Sequence, residues 1–157
     1  MYIDLDKIDR NARCWVYALE KSCKNVNDDI HKFLKKICEN WMTHSNSINA
    51  SYKIYDNRYI ILFAENNISG CSIDGANRLV REKLNELNID IMPNSKIGIF
   101  NNEKLVYYDR LPLINKIKAK EVLKSDKMIN TTIQSKAEFD KKWIVEINKS
   151  WLVNFIK

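Results

Sequence analysis

The run Ala50-Ser51-Tyr52-Lys53-Ile54-Tyr55-Asp56-Asn57-Arg58-Tyr59-Ile60-Ile61-Leu62-Phe63-Ala64 decides the fold. Ala50, Tyr52 and Ile54 alternate with Ser51, Lys53 and Tyr55, the period of a half-exposed strand, and Tyr59 to Ala64 is apolar throughout, as a central strand requires. Asp56 and Asn57 between them tolerate the left-handed backbone of a tight turn, so the stretch predicts a β-hairpin.

Downstream, Ser69-Gly70-Cys71-Ser72-Ile73-Asp74 joins this central strand to a helix whose apolar face is Ile73, Ala76, Val80, Leu84 and Leu87. Upstream, Arg13 to Leu19 is rich in aromatic and β-branched residues and reads as a strand. Asn27 is the expected cap of a helix over Asp28 to Thr43, with Ile30, Phe33, Leu34, Ile37, Cys38 and Trp41 as one stripe. Lys96 to Phe100 and Lys104 to Tyr108 form a second hairpin candidate across Asn101-Asn102. The order strand, helix, strand, strand, helix, strand over residues 13–108 predicts an α+β fold of the ferredoxin-like, split βαβ kind, an antiparallel sheet with helices on one face.

After Pro112 the pattern changes. Leu113 to Leu123 reads as a short basic helix, Ser135-Lys136-Ala137-Glu138 as a capping box opening a helix through Trp143, and Ile144 to Ile147 as a strand. The expected organisation is a single compact domain, an α+β sandwich core over residues 1–110 with a basic C-terminal extension over 111–157 packed on it. With 3 Gly and 2 Pro in the chain, no flexible linker separates them.

The 157 residues carry a formal net charge of +6, and residues 1–95 hold 13 basic and 13 acidic side chains against 13 and 7 beyond. The excess therefore lies in the last third, densest at Lys116, Lys118, Lys120, Lys124 and Lys127, where phosphates of a nucleic acid or an acidic partner would be met. The abundance of Asn, Ile and Lys equally fits an AT-rich coding sequence and a solvated lysine face. No apolar run approaches the ~20 residues of a membrane helix, and Met1-Tyr2-Ile3-Asp4 lacks a signal layout, which predicts a cytoplasmic protein that meets no membrane. The four cysteines, Cys14, Cys23, Cys38 and Cys71, form no C-x-x-C pair and read as reduced thiols, with Cys14 and Cys38 on buried faces.

The Ser69 to Asp74 junction sets nucleophiles and a carboxylate at a helix start, where backbone N–H groups and the helix dipole favour an anion or a thiolate. One reading makes Cys71 a nucleophile with His44 as its base and Asp74 alongside. The structural reading has Ser72 cap the helix, Asp74 complement the dipole, Gly70 supply a turn and Cys71 pack. His31, His44, Cys38 and Asp74 lack metal-ligand spacing, so neither a metal nor a cofactor is expected. The aromatics Trp15, Tyr17, Trp41, Tyr52, Tyr55 and Tyr59 suggest either a stacking platform for single-stranded RNA or core and interface residues.

The series Ala12-Arg13-Cys14-Trp15-Val16-Tyr17, Trp41-Met42-Thr43-His44, Ala50-Ser51-Tyr52-Lys53-Ile54 with Asn57-Arg58-Tyr59, Ser69-Gly70-Cys71-Ser72-Ile73-Asp74 and Ser150-Trp151 resembles an uncharacterised family of small Bacteroidota proteins. Members often carry the label "ABC transporter ATPase". The resemblance implies a lineage and a cytosolic setting and no mechanism. This chain departs from it with Ser45 where glycine is expected and without a proline near Glu146. The label fails on chemistry: Gly70 and Gly75 fit G-x-x-x-x-G, but Ala76 and Asn77 stand where the phosphate-binding Lys and the magnesium-binding hydroxyl must follow.

The expectation is thus a non-enzymatic binding or adaptor module for a protein or ribonucleoprotein partner, with Gly70, Cys71, Ser72, Asp74, Arg13 and Arg58 near its binding surface. The alternative is a small enzyme or anion-binding protein that uses the Gly70 to Asp74 helix start with His44. The oligomeric state is open at this level.

Overall fold

The computed structural model describes residues 1–65, 67–93 and 96–157. The fold is α+β with antiparallel sheets, and the chain divides into two compact units: residues 1–92 with 134–137, and residues 93–133 with 138–157. The division differs from the expected boundary at residue 110, because the second hairpin pairs with strands that follow it rather than with the first sheet.

In the first unit, β1 (Arg13–Ala18) leads through a 3-10 turn to α1 (Asn27–Asn40), then to a small hairpin of β2 (Met42–Thr43) and β3 (Asn46–Ser47). Next come β4 (Ala50–Tyr55), β5 (Tyr59–Ala64) and α2 (Gly70–Glu86). The sheet order is β1-β5-β4, with β5 antiparallel to both neighbours, pairing Val16 with Ile61 and Lys53 with Ile61 across its two edges. This is the strand order of a split βαβ sandwich. Tyr17, Leu19, Ala50, Ile60, Leu62 and Ala64 on one face pack against Ile30, Leu34, Ile37 and Cys38 of α1 and Ala76, Val80 and Leu84 of α2. Both helices therefore cover the same face, as expected.

The fourth strand is where sequence and structure part. Lys96 to Phe100 does not join β1. Its place is taken at one end by residues 90–92, where Ile91 bridges Leu19 and the Met92 amide donates to Ala18 at 2.6 Å, and at the other by residues 134–136, where Ser135 bridges Arg13 and the Cys14 amide donates to Gln134 at 3.1 Å. Pro93 has no amide to continue the first ladder, so pairing stops there. The fourth strand is thus written in two pieces, with residues 93–133 inserted between them.

The second unit contains β6 (Lys96–Asn101), β7 (Lys104–Asp109), α3 (Arg110–Lys118), β8 (Lys127–Ile129), most of α4 (Lys136–Lys142) and β9 (Ile144–Glu146), with sheet order β7-β6-β8-β9. Ile97 and Ile99 of β6, Leu113, Ile114 and Ile117 of α3, and Val122, Met128, Ile147, Leu152 and Ile156 form its core. A 3-10 turn at Trp151–Phe155 closes the chain, capped where the Leu152 amide donates to Ser150 Oγ at 3.2 Å.

Nine residues of the described chain hold φ in the left-handed region, and none is glycine. Asp56 and Asn57 turn the first hairpin, His44 and Ser45 turn β2 into β3, and Asn102 and Glu103 turn β6 into β7. The last turn lies one residue beyond the expected Asn101-Asn102, since Asn101 pairs with Lys104 and is still strand. Ser45, at φ 66, stands where glycine would relieve a steric cost.

Helix ends also differ from expectation. Asn27 is the first helical residue of α1 rather than its cap, and its side-chain oxygen is buried without a hydrogen-bond partner. α1 stops at Asn40 because Trp41 turns extended and starts the small hairpin. The cap of α2 is Ser69, whose Oγ accepts from the Ser72 amide at 3.2 Å, so Ser72 is not the cap. α3 begins three residues before Leu113, since Pro112 sits in a first turn that needs no amide from it, and ends at Lys118 short of Leu123.

Candidate functional site

The small hairpin β2–β3 is fastened to the start of α2. Thr43 Oγ1 accepts from the Ser69 amide at 3.1 Å, Ser72 Oγ donates to the Met42 carbonyl at 2.6 Å, and the same hydroxyl accepts from Trp41 Nε1 at 2.9 Å. Ser72 is therefore a structural clamp with both roles of its hydroxyl spent. The Ile73 amide is also used, on Ser69 O. His44, Gly70, Cys71 and Asp74 sit exposed around this corner. Cys71 does not pack, and no hydrogen bond joins it to His44 among the described residues.

Arg13 reaches toward the corner through aromatic contacts. Its guanidinium carbon lies 5.2 Å from the centre of the Trp15 ring, and Trp15 lies 5.8 Å from Trp41. Arg58 is elsewhere: its Nε donates to Leu19 O at 3.0 Å and its guanidinium to Glu20 O at 2.9 Å, at the far end of β1. Those bonds make Arg58 a brace for the loop that follows β1, so the structure separates it from the other predicted site residues.

The aromatic set is divided between the two faces of the sheet. Trp15, Tyr17 and Tyr52 lie against the helices, while Tyr59, on the other face, is 1% exposed. No open stacking platform results. Tyr17 OH hydrogen-bonds Asn77 Oδ1, and burial pushes its pKa up to about 12. Burial likewise pushes the Cys38 thiol up to about 12. His31 is half-buried and places Nδ1 3.1 Å from Tyr52 OH. No group of three or more His, Cys, Asp or Glu among the described residues is placed to hold a metal ion.

Beside the clamp runs a groove of about 620 Å³ between α1 and α2. Phe33, Lys36, Ile37 and Asn40 of α1 line one wall, Ser72, Gly75, Ala76 and Leu79 of α2 the other, and Trp41 and Met42 close one end. The helices are antiparallel here, since Trp41 meets Ser72 at one end while Lys83 lies 5.9 Å from the Phe33 ring at the other. Met42 and Leu79 are 51% and 42% exposed at the lips, and a Cβ on Gly75 would meet nothing within 4 Å, so the α2 wall faces open space there.

The polar groups of the lining are mostly committed within the chain. Asn40 Nδ2 donates to Lys36 O at 2.8 Å, and Ser72 is held as described. Lys36 is the charged side chain of the lining, and it has no ion pair among the described residues. The groove thus presents an apolar trough with one unpaired cation, next to the helix start the sequence singled out. Phe33 and Ile37 are legible as members of an apolar stripe; that Phe33 stays half-buried at the groove while Ile37 is covered is not.

No family model, no curated protein and no solved structure matches this chain. No described helix is long and apolar enough to cross a membrane.

Proposed function

We propose that this protein is a cytoplasmic binding module whose α1/α2 groove receives an amphipathic helical segment of a partner protein. The observation that carries this reading is the apolar trough of about 620 Å³ with Met42 and Leu79 half-exposed at its lips. Exposed apolar surface of that kind is costly to leave in water and marks an interaction site. The two walls repeat at positions 33, 36, 37, 40 and 72, 75, 76, 79, the spacing into which the apolar ridge of a third helix fits. Lys36 calls for a carboxylate on that helix. Four free thiols support a reducing compartment, and the Gly70 to Asp74 string supports a lineage with the Bacteroidota family it resembles.

The test is a photo-crosslinking side chain at Leu79 in native cells, with Lys53, exposed on β4, as the control position. A discrete protein adduct is expected at Leu79, none at Lys53, and none at Leu79 when Gly75→Phe fills the groove. Gly75→Phe is suited to this because the added side chain enters open space and glycine is a poor helix former. Adducts that are lipid or nucleic acid, or a protein adduct indifferent to Gly75→Phe, would remove the proposal.

A further inference from the structure

The second unit holds a separate cleft of about 450 Å³ that the groove of α1 and α2 does not involve. Its apolar floor is Ile117, Val122, Leu123 and Ile156, and Lys118, Lys120, Lys124 and Lys157 surround it. Leu123 is 53% exposed.

The end of α3 creates this arrangement. Lys120 takes the left-handed position after the helix, at φ 59, with its amide donating to Ile117 O at 3.1 Å and the Glu121 amide to Lys116 O at 2.9 Å. That double closure reverses the chain over the helix terminus, and glycine ordinarily fills the position Lys120 occupies. Val122, Leu123 and Lys124 follow directly and form the other side of the cleft.

Charge decides what fits. The acids of this segment are already engaged: Glu121 Oε2 lies 2.7 Å from Lys116 Nζ, and Asp126 Oδ2 accepts from the Leu123 amide at 2.8 Å. Lys118, Lys120 and Lys124 have no ion pair among the described residues. Of the five lysines that stand out in the sequence, Lys116 is thus consumed internally and Lys127 opens β8 outside the cleft lining, leaving three around an apolar floor.

We propose that this cleft docks an acidic segment of a partner protein through one or two aliphatic side chains flanked by carboxylates. A nucleic-acid strand is the weaker fit. Phosphates would satisfy the lysines, but the lining carries no aromatic ring on which a base could stack, and the aliphatic floor would gain nothing. An acidic peptide with leucine anchors uses both features at once, desolvating the floor and pairing the cations. This inference is independent of the α1/α2 groove and stands or falls without it.

The test is fluorescence anisotropy on the whole protein with a labelled peptide of glutamates interrupted by two leucines, the same peptide with serines for the leucines, and a labelled oligouridylate. The leucine peptide should bind, about tenfold or more tightly than the serine peptide, the scale of burying one aliphatic side chain. Leu123→Ser should weaken it severalfold, and Lys118→Glu with Lys124→Glu should abolish it, with circular dichroism unchanged because these side chains are exposed. The proposal is overturned if the serine peptide binds equally, if oligouridylate binds more tightly than the leucine peptide, or if the folded native protein binds none of the three.

Discussion

Hairpin β4–β5 and hairpin β6–β7 turn the same way, through paired left-handed residues at Asp56-Asn57 and Asn102-Glu103, yet they do different work. All six residues of β5 are buried, whereas β7 has exposed ends and a half-buried middle. Both turns share the same left-handed backbone, and burial sets what each strand contributes. The same contrast runs through the acids. Tyr2, Tyr17, Cys23, Cys38 and Tyr52, all in the first unit, have pKa values raised chiefly by burial, while in the second unit Lys116 is raised by its bond to Glu121.

Truncation probes this contrast most strongly. Leu62→Ala in β5 should cost about 2–5 kcal/mol by urea denaturation, against less than about 1.5 kcal/mol for Val106→Ala in β7. Equal losses would dissolve the distinction.

Alkaline titration comes next. Cys38 and Tyr17 are neutral in the folded state with values near 12, against ordinary values of 9.0 and 10.0, so the stability they confer is intact below pH 9.0 and is lost as pH rises toward 12. The melting temperature should therefore fall across that window, and Cys38→Ala should flatten the start of the fall while lowering the neutral-pH value. A decline that begins well below pH 9 would contradict burial as the cause.

The helix ends supply smaller effects. Ser69→Ala should cost about 1 kcal/mol through loss of the Ser72 amide's acceptor. At the C-termini, α2 and α3 close with the same pair of amide bonds, but Asn88 stands in one left-handed position and Lys120 in the other. Asn tolerates that conformation, so Lys120→Gly should raise stability by up to about 1 kcal/mol and Asn88→Gly by less. If the two glycine variants gain equally, Lys120 bears no special strain.

The local devices of this fold are written in the sequence and its long-range choices are not. Asp56-Asn57, the stripe of α1 and the face of α2 were readable because each rests on residues within one turn or one helix. Glu103 at φ 67 was not, since glutamate carries no turn signal and only the pairing of Asn101 with Lys104 forces it. The order β1-β5-β4 followed from the sequence of elements. The fourth strand did not, because residues 90–92 and 134–136 are each too short to show a period and are about forty positions apart in the chain. At the candidate site, the helix start at Gly70 is legible from the sequence, but the distance of Arg58 from it is not, because nothing in its flanks announces two bonds to Leu19 and Glu20. The groove was invisible for a related reason: a stripe of apolar residues does not say which of its members will lack a cover.

The divided fourth strand has a bearing on how the chain matures. While the ribosome has released only the first hundred residues, β1 presents the open edge beside Arg13 and Cys14, and its neighbour there has not yet been synthesised. An unpaired edge next to an apolar strand such as β5 invites pairing with other nascent chains. Polypeptides cut off before Gln134 should therefore clump during translation more readily than the 157-residue chain.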